Sequence, residues 1–377
     1  MVKTVAASFV GKDRPFIPSS HVFHFNPYTR IPPAGDRLSD PRVDSGHDAF
    51  FVSRVGGSGA IAIGVADGVG GWVDSGVDPA DFSHTFCDYM ARTAYLYESP
   101  MPPDGDSSGT TLNARYLMQM GYDLVSKDKN IHAGGSTACV AVASPDGSLD
   151  VANLGDSGYV ALRANAVHAY SVPQTHSFNT PFQLSVIPHS ILRRAALFGN
   201  NMLLDRPKDS DVTSINLRHG DVLVFASDGV WDNLFNHDIL RIVSRLMTDV
   251  GAWRNGSSGI TVARNLDAFT GVEVLNEQAA AKAGANAKRS QGEGTASSPS
   301  TRVSGGIRTL QSALAVEITA AAKAASLNAR VDGPFAKTLK QYYPNEKWNG
   351  GKVDDICVVV AIVTEQLRDT ASADDGY

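Results

Sequence analysis

Two stretches of this chain share an arrangement in which an uncharged, β-prone run leads into an Asp-Gly pair. Val222–Ala226 is apolar throughout, with Asp228 two residues beyond it, and Ala60–Ala66 is a similar run followed directly by Asp67. Short apolar runs of this kind predict buried strands. A carboxylate fixed at the end of a buried strand suits Mg2+ or Mn2+, because hard divalent cations prefer oxygen ligands.

Other acidic residues stand beside β-prone runs in the same way. They are Asp48, Asp156, Asp354 and Asp355. Asp often serves in turns and caps, but repeated placement beside uncharged strands favours convergence on one rim of the fold. Clustered carboxylates repel one another unless cations neutralise them. The sequence therefore predicts a metal site, and two ions suit this many acids.

Helices are predicted in four places. An Asp-Pro pair at 78–79 has the form of an N-cap followed by proline at the first helical position, which predicts a helix over 79–97. Apolar residues at helical spacing predict further helices over 112–128, 237–249 and 310–327.

Three β-runs follow one another closely in the middle of the chain. They cover 138–143, 149–154 and 159–163, and short polar turns separate them. Since parallel strands need a long crossover connection, these runs predict antiparallel hairpins rather than βαβ units.

The chain divides by composition. Residues 1–35 are acid-poor and mildly basic, which predicts an N-terminal extension compatible with a mitochondrial presequence, although prolines interrupt any helix there. The main domain is expected over 36–366, with a disordered insertion at about 276–306 that lacks large apolar residues. Residues 367–377 are expected to form a flexible tail.

Composition excludes some classes of protein. With 377 residues and 43% hydrophobic content the chain can bury a sizeable core, and its net charge of −6 argues against a nucleic-acid partner. Its longest apolar run, Ile356–Val363, is too short to cross a bilayer. Three cysteines predict free thiols in a reducing compartment, so mitochondrial and cytoplasmic locations both stay open.

Five motifs occur in order within residues 43–364. They are Val65-Ala-Asp67-Gly68-Val-Gly-Gly, Gly134-Gly-Ser-Thr-Ala138, Asn153-Leu-Gly-Asp156-Ser157, Ala226-Ser-Asp228-Gly-Val-Trp-Asp232 and Asp354-Asp-Ile. Each is weak alone, but together they resemble the metal-dependent Ser/Thr phosphatases of the protein phosphatase 2C type. Three stretches look like the branch that includes fungal and mitochondrial matrix phosphatases: Asp67-Gly-Val-Gly-Gly-Trp, Asn179-Thr-Pro-Phe-Gln-Leu184 and Phe25-Asn-Pro-Tyr28.

The resemblance implies an α+β fold with a central β-sandwich of two antiparallel sheets flanked by helices. It implies a monomeric protein serine/threonine phosphatase that acts on phosphoprotein substrates. Phosphoserine and phosphothreonine would be hydrolysed by a metal-bridging hydroxide, without a phosphoenzyme. The cofactors would be two Mn2+ or Mg2+ ions per subunit, with room for a third, weakly bound ion.

The same resemblance assigns the principal metal ligands. Asp67 would bridge the two ions, and the Gly68 carbonyl would bind one of them. Asp228 and Asp354 would bind the other. Asp67, Asp228 and Asp354 are therefore the expected catalytic residues.

Further roles are expected around these ligands. Asp48 would act on the metal directly or through waters, and Asp156 together with Asp228 would form the third, looser position. Asp232 is expected in a supporting or structural role. Arg42 is the candidate for binding the substrate phosphate.

Two residues depart from the family pattern. His47 stands where the family usually has Glu, so a neutral nitrogen ligand would replace a carboxylate at the metal. Val69 stands where many members have a proposed general acid, so the proton for the leaving group would come from a metal-bound water or from another residue, for which His176 is a candidate. These departures keep open a second hypothesis, a catalytically weak pseudophosphatase that acts as a metal-binding regulatory module.

Overall fold

The computed structural model of this protein describes residues 2–26, 42–98, 112–197, 203–257, 259–270 and 309–365. The strands are β1 (Val2–Val10), β2 (Val22–His24), β3 (Asp48–Val55), β4 (Ala60–Asp67), β5 (Gly134–Ser136), β6 (Ala138–Ala143), β7 (Ser148–Leu154), β8 (Gly158–Arg163), β9 (Ala166–Tyr170), β10 (Thr175–Ser177), β11 (Thr180–Pro181), β12 (Leu184–Val186), β13 (Asp211–Asn216), β14 (Val222–Ala226), β15 (Trp253–Gly256), β16 (Gly259–Val262) and β17 (Ile356–Val363). The helices are α1 (Pro79–Tyr95), α2 (Ala114–Val125), α3 (His189–Leu197), α4 (Asp228–Trp231), α5 (Asn236–Asp249), α6 (Asp267–Thr270), α7 (Leu310–Ser326) and α8 (Pro334–Tyr342), with 3-10 turns at Gly70–Ser75 and Pro207–Asp209.

Two large antiparallel sheets form the centre of the molecule. One has six strands in the order β2-β1-β17-β14-β8-β9, and the other has five in the order β13-β7-β6-β4-β3. Every neighbouring pair within them is antiparallel. The predicted α+β sandwich is confirmed, and β6 and β7 form the hairpin predicted over 138–154. The hairpin predicted between 149–154 and 159–163 is wrong, because residues 155–157 carry the chain from one sheet to the other and β8 pairs with β14 and β9 in the six-stranded sheet.

Side chains of alternate residues in each central strand enter different cores. In β17, Val359 and Ala361 lie in the core between the two sheets, whereas Val358 and Val360 face the helices outside the six-stranded sheet. Alternation is the normal geometry of a strand. Because both faces are covered, the strand is apolar throughout, which explains the unbroken apolar runs in the sequence.

Helices cover the outer face of each sheet. Phe86 and Met90 of α1 join Leu117 of α2 in the core outside the five-stranded sheet. Val243 of α5 and Leu314 of α7 lie in the core outside the six-stranded sheet. The layers therefore follow the order α-β-β-α.

The four predicted helices are present. Asp78 is the N-cap of α1, and its carboxylate accepts the backbone N–H of Ala80 at 3.0 Å. Helix α2 is shorter than expected, because the side chain of Asn113 caps its first turn through the N–H of Tyr116. Bounds of α5 and α7 lie within one residue of the expected ones.

The N-terminal segment differs from the expectation. Residues 2–10 form β1, which pairs with β17 along its length and contributes buried Val5 and Phe9 to the core. The ammonium of Lys323 on α7 donates to the carbonyl of Lys12 at 2.6 Å, which fixes the chain beyond β1. The boundary expected at residue 36 is therefore wrong for residues 2–10, because they complete the six-stranded sheet.

Some expectations concern residues outside the described part of the chain. These are the insertion at 276–306 and the tail at 367–377. Among the described residues, no helix combines the length and apolar character needed to cross a membrane. Cys87, Cys139 and Cys357 are buried free thiols, as predicted.

Replacement of Phe9 by Ala tests whether β1 is part of the stable core. Phe9 is 5% exposed and stacks on Phe50 at 5.7 Å between ring centroids. Phe9→Ala should lower the free energy of unfolding by about 3–5 kcal/mol, since a buried ring is lost and a cavity remains. Urea denaturation followed by circular dichroism would measure this. Val172→Ala, at a side chain 64% exposed, should change stability by less than about 0.5 kcal/mol; an equal effect of both variants would contradict the assignment.

Candidate metal centre

The first pair of acids is brought together by the register of β3 and β4. Asp48 begins β3, Asp67 ends β4, and the two are direct partners across the antiparallel pair. Asp48 is 1% exposed. A register slip of one residue would move one of them to the opposite face, so the hydrophobic pattern of these strands also sets the position of the acids.

The second group of acids lies at the corresponding end of the six-stranded sheet. Ala226, the last residue of β14, pairs with Val358 near the start of β17 and with Gly158 at the start of β8. Consequently Asp228 comes just after β14, whereas Asp354 and Asp156 come just before β17 and β8. Three antiparallel neighbours thus present their acids at one rim, as the sequence predicted.

The segment that carries Asp67 is fixed by Thr137. The backbone N–H of Asp67 donates to Thr137 Oγ1 at 3.2 Å, and the N–H of Thr137 donates to the Asp67 carbonyl at 2.9 Å. The hydroxyls of Thr137 and Ser157 lie 2.8 Å apart. Three of the five motifs therefore meet at this point.

Ser227 connects the two sheets and was not recognised from the sequence. Its hydroxyl donates to Asp48 Oδ2 at 2.5 Å and accepts the N–H of Cys357 at 3.1 Å. A serine between an apolar strand and Asp-Gly is a weak signal on its own. Its partner, Asp48, is 179 residues away in the chain.

Asp354 and Asp355 have different partners. Asp354 faces the acids of the rim, whereas Asp355 accepts the backbone N–H groups of Lys12 at 2.7 Å and His47 at 2.8 Å. Gly229 is required here, since a Cβ at that position would lie 1.9 Å from the Asp355 carbonyl oxygen. Asp355 thus ties β1 and β3 to the start of β17.

The structure places His47 against Asp355. Its Nδ1 lies 3.8 Å from Asp355 Oδ2, and its carbonyl accepts the N–H of Gly68 at 3.1 Å. The ring is therefore next to the carboxylate that supports the rim. Its assignment as a metal ligand stays a prediction.

Lys352 is the cation of the cluster, and sequence reasoning missed it. Its Nζ donates to Asp228 Oδ2 and Asp232 Oδ2, both at 2.7 Å, and lies 3.1 Å from Asp354 Oδ2. Asp232, one helical turn after Asp228, thereby joins the cluster. The available signal was a lysine two residues before the Asp pair in a Gly-Gly-Lys-Val-Asp-Asp stretch.

Burial, reinforced by repulsion among the acids, raises the pKa of most of these carboxyls above the ordinary Asp value. The affected groups are Asp48, Asp67, Asp156, Asp232 and Asp354. The pKa of Asp232 rises to about 7. Burial opposes the charge of Asp228 too, but the adjacent Lys352 ammonium holds the pKa of Asp228 below its usual value.

The donors of this cluster fit a hard divalent cation. They are carboxylate oxygens, and the buried Oδ1 atoms of Asp48 and Asp156 have no hydrogen-bond partner. Within the described ranges, however, no group of three or more acidic, His or Cys side chains is placed so that it could hold a metal ion as it stands. Lys352 instead lies between three of the carboxylates. Carboxylates whose buried charge needs a cation therefore share the rim with the ammonium of Lys352.

Arg42 lies at the start of α1. Its guanidinium forms ion pairs with Asp81 and, at 3.1 Å, with Asp78. The same helix start abuts the loop that carries Gly68, because a Cβ on Gly68 would lie 2.6 Å from the carbonyl oxygen of Pro79. The Arg42 guanidinium thus lies against the first turn of α1, which adjoins Gly68, and its ion pairs are with Asp78 and Asp81 rather than with the acids of the cluster.

The ring of His176, the candidate proton donor, is fixed by its contacts. Its Nε2 lies 3.0 Å from Asp205 Oδ2, and its ring stacks on Phe182 at 4.2 Å. Asp205 also accepts the N–H of Gln183 at 2.9 Å. These contacts account for the position of His176 without a catalytic role, and that role stays a prediction.

Known proteins share this chain's sequence and architecture. The family model for protein phosphatase 2C matches residues 44–254. The mitochondrial protein phosphatase 2C homolog 7 of Saccharomyces cerevisiae is 35% identical over 216 residues, which cover 57% of this chain and 61% of the yeast protein. The human protein phosphatase PTC7 homolog is 36% identical over 205 residues, 53% of this chain and 60% of its own length.

A solved structure supports the fold. The photosystem II phosphatase PBCP superposes with a TM-score of 0.54 at 21% identity, over 89% of this chain and 97% of its own. This chain spans about three fifths of the length of the yeast and human relatives. Since the family model covers more than half of the chain and includes both Asp-Gly strand ends, the chain belongs to the protein phosphatase 2C family.

Proposed function

We propose that this chain is a metal-dependent protein serine/threonine phosphatase that hydrolyses phosphoserine and phosphothreonine in phosphoprotein substrates. The convergence of acids from both sheets at one rim carries the proposal. Asp48 and Asp67 come from one sheet, and Asp228 and Asp354 come from the other. Membership of the protein phosphatase 2C family supports the same activity.

The proposed metal ligands are those at the rim. Asp67 and the Gly68 carbonyl would hold one divalent ion, and Asp67 would share the second with Asp228 and Asp354. Asp48, fixed by Ser227, would act directly or through water. Two Mn2+ or Mg2+ ions, when bound, supply Lewis acidity that activates water and neutralises charge on the phosphate.

The chain's own residues favour direct hydrolysis over a phosphoenzyme. Burial raises the pKa of the Cys357 thiol well above its usual value, so this cysteine near the rim is a poor nucleophile. The Ser227 hydroxyl donates to Asp48 and accepts from the Cys357 N–H, so it is already engaged. Neither side chain is therefore free to act as a nucleophile, which supports hydrolysis by water.

Arg42 is proposed to bind the substrate phosphate. A guanidinium at the helix turn beside Gly68 can exchange its contacts with Asp78 and Asp81 for a phosphate, because Arg pairs with phosphate oxygens in a bidentate geometry. Its side chain is 45% exposed, so a substrate can reach it.

A second candidate is a catalytically weak pseudophosphatase that acts as a metal-binding module. The observation that favours it is the Lys352 ammonium within the cluster, together with His47 in place of a carboxylate. Measured turnover separates the two, since the module would bind Mn2+ without hydrolysing a phosphopeptide.

We also propose a mitochondrial location. The yeast relative is named as mitochondrial, and this supports the proposal. Imaging of a protein tagged at its C-terminus, with a mitochondrial and a cytoplasmic marker, would test it.

Asp67→Asn and Asp228→Asn should each reduce phosphopeptide turnover by several orders of magnitude. Each change removes a carboxylate that the proposed site needs to hold two cations close together. Turnover would be measured with saturating Mn2+ on a generic phosphothreonine peptide, with folding checked by circular dichroism. Asp146→Asn is a matched control, since Asp146 lies in the turn between β6 and β7. Near-normal turnover of Asp67→Asn would contradict the proposal.

Asp67→Asn should also change stability without metal. Because the folded protein raises the pKa of Asp67, its contribution to stability is present below the ordinary Asp value and is lost as the pH rises through the raised value. In EDTA, the variant should therefore melt a few degrees above the wild type at pH 8, and the difference should shrink as the pH falls toward about 4. Mn2+ should stabilise the wild type more than the variant. A wild type that melts higher in EDTA at pH 8 would show that the acids do not repel one another.

Arg42→Ala should raise KM for a phosphopeptide roughly tenfold, or about 1.4 kcal/mol, with a smaller effect on kcat. The physical reason is loss of a phosphate contact that is made in the ground state and the transition state alike. Mn2+ affinity, measured by calorimetry, should not change. An unchanged KM would leave Arg42 as a capping partner of α1 alone.

A further inference from the structure

Lys352 makes a complete set of charged contacts within the rim. An ammonium has three N–H donors, and Nζ of Lys352 lies within 3.1 Å of three carboxylates, those of Asp228, Asp232 and Asp354. Each of these contacts is made to the Oδ2 atom of the acid.

The position of Lys352 is built into the fold. Asn233, in the turn after α4, accepts the N–H of Lys352 at 2.9 Å and donates to its carbonyl at 2.8 Å. The ring of Phe335 lies 5.2 Å from Nζ, a cation–π distance. The side chain of Lys352 is 15% exposed. The turn that carries Asp228 and Asp232 thus holds the lysine that neutralises them.

The charge of the cluster requires more than one cation. Six carboxylates converge there: Asp48, Asp67, Asp156, Asp228, Asp232 and Asp354. Two divalent ions and one ammonium would leave a single negative charge. A further divalent ion bound by Asp228 and Asp232 would stand close to Nζ, and like charges at such distances repel strongly in a partly buried site.

We propose that Lys352 is a built-in cation that takes the place of a third metal ion between Asp228 and Asp232. The chain then binds two divalent ions and no third. This inference rests on the proposed two-metal site. It also argues against the third, weakly bound ion expected at Asp156 and Asp228, since that ion would share Asp228 with the Lys352 ammonium.

The occupancy of the third position becomes a fixed property of the chain. A metal ion leaves when its concentration falls, whereas an ammonium on a chain held by Asn233 stays in place. The wild-type chain should therefore bind two Mn2+ ions and no more as the Mn2+ concentration rises into the millimolar range. Removal of the ammonium should open the position to metal.

Metal counting with a set of variants tests the inference. Wild type, Lys352→Met, Lys352→Arg and the control Lys340→Met would be dialysed against increasing Mn2+, and bound metal would be counted by elemental analysis. Lys340 pairs with Asp332 and Asn349, outside the acidic cluster. Wild type, Lys352→Arg and Lys340→Met should bind two ions, and Lys352→Met should bind a third, weaker one.

The melting temperature in EDTA gives a second readout. Lys352→Met should melt lower than the wild type, because it leaves the acids without their ammonium, and Mn2+ should recover most of the loss. The melting temperature of Lys340→Met in EDTA should be close to that of the wild type, and Mn2+ should raise both by the same amount.

The outcomes separate the two proposals. Failure of the wild type to bind Mn2+ would overturn the proposed function itself. If the wild type and Lys352→Met each bind two ions, only the role of Lys352 is overturned. Tighter binding of the second ion in that variant would show instead that the lysine competes with the second metal ion, which also overturns the inference. If Lys352→Met does not fold, the wild type decides: a third Mn2+ overturns the inference, and saturation at two supports it.

Discussion

Mutual repulsion among buried carboxylates is the constraint on which the rest of this structure depends. Acids at this spacing favour protonation over charge, as the pKa of Asp232 at about 7 illustrates. They remain together because Asp48, Asp67, Asp156, Asp228 and Asp354 lie at or next to strand ends, and Asp232 follows one helical turn after Asp228 on α4. Loops with the same residues would move apart, whereas hydrogen-bonded strands packed on two cores cannot.

The frame that holds the acids is assembled from distant parts of the chain. Ser227 links the rims of both sheets through Asp48 and the N–H of Cys357. Asp355 links the chain after β1 with the start of β3 through Lys12 and His47. Each link satisfies a polar group whose burial without a partner would cost free energy. The stability of the fold and the alignment of the acids therefore rest on the same hydrogen bonds.

The cluster combines acids of two kinds. Asp228 is held in its charged form by an ammonium that the chain itself supplies. Asp48 and Asp156 each keep a buried oxygen without a partner. The charge of Asp228 is neutralised within the chain, whereas the free oxygens of Asp48 and Asp156 suit a cation from solution.

Local features of the fold follow from local sequence. The N-cap of α1, the hairpin over 138–154 and the strand ends at Asp67 and Asp228 were all predictable, because caps, turns and periodicity involve residues close in the chain. The change of sheet between β7 and β8 was not, because a short turn looks the same in the sequence whether or not its two strands pair. The convergence of the acids was predictable as well, since antiparallel neighbours alternate in direction.

Other features were decided only by tertiary structure. The composition of residues 2–10 indicated an extension, yet their pairing with β17 makes them part of the sheet. Lys352 and Ser227 carry only a weak local signal, because Asp228 lies 124 residues from Lys352 and Asp48 lies 179 residues from Ser227. The sequence by itself determined which residues could form strands and where acids would end them. Only the folded chain decided which acids meet a lysine, since contact between distant segments depends on the packing of the two sheets.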